Sequence, residues 1–187
     1  MDVGFGGYFN AGQISNNFGP SGLASIGFGW NYKKWNYDLN LLAGSSTAQQ
    51  DMVVENKAWA KGTDLDLFLL KLSLGYDVWD NERFEFSPNF GIVYTNYSPS
   101  QYNSQNQPIN SDIKYTTKNF MHYSLGFNYD IKFKPKNNRP EFKGFISFIR
   151  LSYGLNIPSI NYSGYNGIVN YFTVGFGFGV RKTKRDL

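Results

Sequence analysis

Tyr171 to Val180 reads Y-F-T-V-G-F-G-F-G-V, and this alternation decides the fold. Phe172, Val174, Phe176, Phe178 and Val180 share one parity, while Tyr171, Thr173, Gly175, Gly177 and Gly179 share the other. Successive side chains of a strand point to opposite faces, so one face here is large and apolar and the other mostly glycine. A helix would smear both classes around its circumference. Glycine weakens a strand unless small size is needed on that face. Two settings meet the need: a narrow closed barrel with its rings in lipid, or a core strand of a soluble sandwich. The rest of the chain separates them.

Working outward, strands of the same alternation are expected over residues 3–9, 23–32, 35–43, 64–79, 84–95, 119–133, 141–156 and 169–181. Strand two sets Ala24, Ile26, Phe28, Trp30 and Tyr32 against Ser25, Gly27, Gly29 and Asn31. In the fourth, Phe68, Leu70, Leu72, Leu74 and Tyr76 oppose Lys71, Ser73, Gly75 and Asp77. Its first half places Leu65, Leu67 and Leu69 on the otherwise polar face, which calls for a bulge or an apolar plug. Pro88 in the fifth strand has no N–H to pair and needs a local irregularity. The seventh strand mixes parities, with Ile146 and Phe148 against Ile149, Leu151 and Tyr153, and a bulge near Phe148 would reconcile them.

Connections between these strands alternate long and short. The turns at Lys33-Lys34, Asp80 to Arg83 and Lys134 to Pro140 are short, whereas Gly44 to Thr63 and Asn96 to Lys118 are long and polar. A soluble sandwich has no reason to keep its long loops at one end, but bacterial outer-membrane barrels do. Aromatics gather around the short turns (Trp30, Tyr32 and Trp35; Tyr76, Trp79 and Phe84), as an interfacial girdle would. The expected fold is therefore all-β, one domain over residues 1–187: an eight-stranded antiparallel up-and-down transmembrane β-barrel.

Composition agrees. Aromatic residues make up 19% of the chain, yet mean hydropathy is -0.42, the profile of a dispersed apolar face. The longest apolar run within a strand, Leu67 to Leu70, is far short of a spanning helix. Cysteine is absent, which removes disulfides and thiolate metal sites. The start M-D-V-G-F-G has no signal-peptide character, so any export signal is expected to lie outside this sequence. Net charge is +4, and the basic tail Arg181, Lys182, Lys184 and Arg185 reads as a solvated strand end rather than a nucleic-acid site.

The chain resembles the small eight-stranded outer-membrane barrels, including the OmpA-type transmembrane domain, in architecture and pattern over nearly its whole length. That resemblance implies a Gram-negative outer membrane, periplasmic termini, and surrounding lipid and lipopolysaccharide. It also implies recognition by the outer-membrane assembly machinery, with Phe172, Phe176 and Phe178 as the aromatic face of the signal strand. The chain departs from the usual form by continuing past a terminal aromatic to Leu187, which leaves room for a further periplasmic part.

Inward parity collects Asp38, Lys71, Asp77, Glu85, His122, Asp130, Arg150 and Arg181. An isolated ion in an enclosed lumen costs several kcal/mol, so opposite charges must pair. The expectation is an ion-pair network of Asp38, Lys71, Glu85 and Arg150, acting as a plug or, alternatively, as the gate of a narrow pore. His122-Tyr123-Ser124 is similar to the H-x-S-N motif of eight-stranded lipid A deacylases, but Leu125 stands in place of the asparagine. Inward parity also turns His122 and Ser124 away from lipid. Asp51, Glu55, Asp64 and Asp66 lack calcium-loop spacing and read as solvated loop residues. No cofactor or metal is expected. The expected role is structural or interactive and not enzymatic, with the long loops contacting ligands or partner outer-membrane proteins; a larger assembly with this chain as accessory subunit is one form of it. A lipid A-modifying enzyme and a soluble lipocalin-like carrier stay open, although the lipocalin G-x-W signature is missing, Gly29 and Trp30 being adjacent.

Overall fold

The structure, a computed structural model, describes residues 1–100, 116–133, 145–159 and 165–180. In chain order the elements are β1 (Asp2–Gly12), the short helix α1 (Gln13–Asn17), β2 (Ser21–Tyr32), β3 (Trp35–Thr47), β4 (Met52–Val54) and β5 (Lys57–Trp59). They continue with β6 (Asp64–Tyr76), β7 (Trp79–Asp80), β8 (Phe84–Pro99), β9 (Lys118–Phe133), β10 (Phe145–Pro158) and β11 (Gly167–Val180). Eight long strands pair in the order β6-β3-β2-β1-β11-β10-β9-β8, and β6 pairs with β8 to close the wall. Every pairing in that wall is antiparallel.

Register fixes the tilt. Partners followed round the wall from Asp2 run through Gly27, Asn40, Lys71, Val93, His122 and Pro158. Carried two residues beyond its last pair, the β10–β11 register takes Pro158 to Gly167, which pairs with Gly12. One circuit thus climbs from residue 2 to residue 12 of β1, and strands so staggered must lean strongly against the barrel axis.

The faces sort as the alternation requires. On β11, Tyr171, Thr173 and Gly177 are buried, whereas Phe172, Val174, Phe176 and Phe178 are exposed, Phe176 to 56%. Phe5 and Trp30 are 72% and 75% exposed, and Phe90, Tyr123 and Leu125 extend the same belt. Apolar area of this extent on the outside of a closed wall belongs in hydrocarbon. A soluble carrier needs those rings inside, and they are not. No helix among the described residues is long and apolar enough to cross a membrane.

Three local expectations resolve differently from one another. The bulge near Phe148 is absent: β10 keeps one register with β11 from Phe145 to Asn156 and one with β9 from Ser147 to Pro158. Phe148 instead points inward, where Gly177 on the neighbouring strand leaves the space; a Cβ on Gly177 would lie 2.3 Å from the Phe148 ring. The proline does require an irregularity, and its partner supplies it. β6–β8 pairing ends at Asn89, β7–β8 pairing begins at Phe86, and the break between them takes in Pro88 and Ser87 on β8 and Tyr76 to Val78 on the other side. The fourth expected strand, residues 64–79, is accordingly split between β6 and β7.

Leu65, Leu67 and Leu69 form a plug and no bulge, since β6 holds constant register on both sides. They meet Ile14 and Phe18 from the β1–β2 connection and Trp59 from the β4–β5 hairpin, all fully buried. The connection expected over Gly44 to Thr63 is thus partly strand: β3 continues to Thr47 and the hairpin folds back over the barrel mouth. The loop half of the lumen is apolar and the turn half is ionic.

Val at position 177 must displace the Phe148 ring, at a cost of roughly 1–3 kcal/mol. Gly177→Val should lower the temperature at which the compact, heat-modifiable gel band is lost. Gly179→Ala, whose added methyl meets nothing within 4 Å, should leave it unchanged. Equal behaviour of the two variants would refute the packing of Phe148 into the glycine face.

Candidate functional site in the lumen

Lumenal charge gathers at the turn half because only the lower, inward positions of neighbouring strands carry it. Arg150 on β10 faces Asp130 on β9 as a direct cross-strand pair. Its Nε and Nη2 donate to the two carboxylate oxygens of Asp130, each at 2.8 Å, the bidentate fork that suits guanidinium. Its Nη1 donates to Asp2 Oδ2 at 3.1 Å and stands 3.6 Å from Asp38 Oδ1. One guanidinium therefore ties β10 to β9, β1 and β3. Asn128 Nδ2 donates to Asp38 at 3.2 Å, and Ser152 Oγ donates to Asn128, satisfying further lone pairs.

The expected set of Asp38, Lys71, Glu85 and Arg150 does not assemble as one unit. Arg150 and Asp38 come together. Glu85 is the cross-strand neighbour of Asp130, a like charge, and takes Lys132 as its counter-ion at 2.5 Å. Lys132 Nζ also pairs with Asp80 at 2.6 Å. Asp77 accepts from Asn36 and, at 2.5 Å, from Ser87 Oγ. Asp77, Asp80 and Glu85 offer ligand atoms within 4.8 Å of one another, but the Lys132 ammonium already supplies positive charge to two of them. Lys71 is buried without a carboxylate within ion-pair distance among the described residues; it donates to Asn89 Oδ1 at 3.0 Å and to the Tyr171 hydroxyl, and lies 5.1 Å from that ring. Arg181 lies outside the described residues.

Asp2 and Lys132 were missed by the sequence reading. Both had a signal: Asp2 shares the parity of Gly4 and Gly6, and Lys132 that of Asp130. Trp59 had none, since it reaches the lumen through a hairpin turned by Glu55 and Asn56 at positive φ.

His122 and Ser124 are buried on the lumen side of β9. His122 Nδ1 lies 3.5 Å from Thr95 Oγ1 and its ring packs near Phe120. Among the described residues no hydrogen bond joins it to Ser124 or to a carboxylate, so the base–nucleophile contact that hydrolysis requires is not formed. Asp51 Oδ1 accepts from the backbone of Lys61 at 2.7 Å and clips the hairpin base. Between plug and ion pairs, a cavity of about 20 Å³ bordered by Asp2, Lys71 and Thr173 has room for a single water.

Among solved structures, the chain is similar to Ail, the attachment invasion locus protein of Yersinia pestis, in complex with the heparin analogue sucrose octasulfate. The TM-score is 0.50 at 11% identity, covering 95% of this chain and 94% of that one. A second structure of Ail covers the same shares with TM-score 0.45 and 10% identity. The fold is that of a small outer-membrane barrel. Identity so low speaks for the fold and for nothing finer. No family model matches the chain, and no curated protein sequence matches it.

In this outer-membrane barrel the two cations carry unequal loads. Arg150→Ala strands three buried carboxylates and should cost about 3–5 kcal/mol. Lys132→Ala strands Glu85, its other partner Asp80 being more exposed, and should cost less. Urea unfolding midpoints in lipid vesicles measure both. The reverse order would mean that the turn-end pair, and not Arg150, holds the wall together.

Proposed function

We propose that this barrel resides in the outer membrane of a Gram-negative cell, turn end and termini in the periplasm, as a non-enzymatic interaction protein whose loop end meets external ligands or partner subunits. The observation that carries the reading is the filling of the lumen by described side chains. Leu65, Leu67, Leu69 and Trp59 fill the loop half, and Arg150 with its three carboxylates fills the turn half. A filled barrel offers its surroundings a wall and a rim, and the wall faces lipid. The ion clusters then serve to stiffen and plug, because Arg150, Lys132 and Lys71, the described lumen cations, are each held by more than one partner.

The rim is built to stand still. Trp59 Nε1 donates to Thr116 Oγ1 at 2.7 Å, Phe18 stacks on Tyr97 at 4.0 Å, and Lys118 lies 4.3 Å from the Tyr165 ring. Val53 projects from the hairpin, 70% exposed. Ail, by its description, binds a heparin analogue, but the described rim here mixes Lys57, Lys61 and Lys118 with Asp51, Glu55, Asp64 and Asp66. That balance favours a mixed-charge partner over a polyanion. Lipopolysaccharide is the lipid expected around this end. Phe172, Phe176 and Phe178 on the closing strand supply the outward aromatic face proposed for recognition by the assembly machinery. An accessory-subunit role draws no support from β10, whose outward residues Ile149, Leu151, Tyr153 and Leu155 are all half-buried.

The chain has no cysteine, so single cysteines report cleanly. Val53→Cys should react with a membrane-impermeant maleimide in intact cells, and Lys34→Cys only after permeabilisation; the opposite pattern reverses the orientation. A photo-crosslinker at Val53 in living cells should capture a ligand or envelope partner, and its failure to do so removes the interaction role. Wild-type protein and Arg150→Ala should both be silent in planar bilayers. Unitary openings in either would replace the plug with a pore.

A further inference from the structure

The outer wall carries a groove of about 500 Å³, within the range of roughly 300–1,000 Å³ that ligand pockets occupy. Its floor is a row of cross-strand partners, Gly29, Asp38, Ser73 and Gly91, running from β2 through β3 and β6 to β8. These residues turn their side chains inward or have none, so the outer surface along the row is bare backbone. Large outward side chains wall it on both sides: Phe28 and Ile92 belong to one ridge, Trp30, Tyr37 and Phe90 to the other. Three interstrand steps make the valley about 14 Å long. The stagger of the barrel makes it climb, lowest at β2 and highest at β8, away from the turn end.

Two cations stand below its lower mouth. Lys33 and Lys34 form the tip of the β2–β3 turn, three and four residues past Trp30, or about 10 Å for three steps along a strand. Both are exposed. Lys33 Nζ lies 5.5 Å from the Tyr32 ring and Lys34 Nζ 5.8 Å from the Tyr76 ring, and neither has a carboxylate within ion-pair distance among the described residues. Tyr32, Trp35, Tyr76 and Trp79 are exposed at the same level, the aromatic belt that marks headgroup depth. An apolar valley ending above a pair of lysines at that depth, neither paired with a carboxylate among the described residues, matches an acyl chain joined to a phosphate.

We propose that this groove is a binding site for an anionic glycerophospholipid of the leaflet on the turn side, its tail in the valley and its phosphate on Lys33 and Lys34. The site rests on the membrane reading above, though not on which face is periplasmic. A partner protein would need a broad face, whereas the valley is narrow and its cations sit at one end.

Native mass spectrometry of the intact barrel, released from mild detergent with equimolar phosphatidylglycerol and phosphatidylethanolamine, tests it. One phosphatidylglycerol should be retained with a preference on the order of tenfold, as two lysines near an anionic headgroup provide. Lys33→Asn with Lys34→Gln should bring the preference to about one while a tail is still held. Leu74→Trp, which fills the groove, should abolish retention of either lipid. Arg83→Gln, at the neighbouring turn, should change nothing. Equal retention of both lipids by the wild type, or an unaltered preference in the lysine variant, overturns the site. A second copy or another protein crosslinked at position 30 in native membranes, in place of lipid, overturns it too. Heat-modifiable gel mobility separates the two levels: a variant that keeps the folded band but loses lipid bears on the groove, whereas a wild type that never forms that band in lipid refutes the membrane barrel itself.

Discussion

A strand in hydrocarbon has nowhere to send its backbone N–H and C=O groups except to another strand, and that constraint organises this molecule. β1 pairs with both β2 and β11, and β6 with β8, so no edge is left in the wall of eight strands. Closure at this strand number leaves a bore that side chains must fill. Bulk is therefore sent outward, and the inward parity is rationed to glycine, small polar residues and groups that can be fully partnered. The glycines of β11 are one face of that economy, and the Phe148 ring lying over Gly177 is the other.

Filling the bore takes two chemistries because its two halves have different sources of atoms. At the turn half, the described turns bring no apolar group to the interior, Val78 and Trp79 being exposed, so the strands must fill it largely with their own side chains. Charged side chains reach across the bore, and Arg150 answers three carboxylates at once. At the loop half, longer connections fold back: α1 contributes Ile14 and the hairpin contributes Met52, Val54 and Trp59. With apolar groups arriving from outside the wall, the strands there can turn leucines inward. The inward leucines of β6 and the buried Trp59 thus depend on one another.

The outside of the wall follows the same logic in reverse. Between two ridges of outward side chains the outer surface sinks to the backbone of the inward-facing row, as along Gly29, Asp38, Ser73 and Gly91. The groove on β2, β3, β6 and β8 and the ion pairs inside are two sides of one row of residues, Asp38 contributing its carboxylate to the lumen and its backbone to the groove floor.

Alternation in Tyr171 to Val180 determined, without coordinates, that the large apolar side chains share one face and the glycines the other, because the period of a strand leaves no other assignment; which face lies inside took the rest of the chain. Loop lengths likewise determined the up-and-down order. The inward placement of Asp38, Lys71, Asp77, Glu85, His122, Asp130 and Arg150 was legible from parity, and Asp2 and Lys132 were legible by the same rule. Which charge answers which was not. Parity places a residue on a face, but the stagger between strands decides its height, and height is what gives Lys132 to Glu85 and Arg150 to Asp2, Asp38 and Asp130. Phe148 looked like a register fault for the same reason: the space that admits it belongs to Gly177, and only pairing brings a residue of one strand beside a residue of another 29 positions away in sequence.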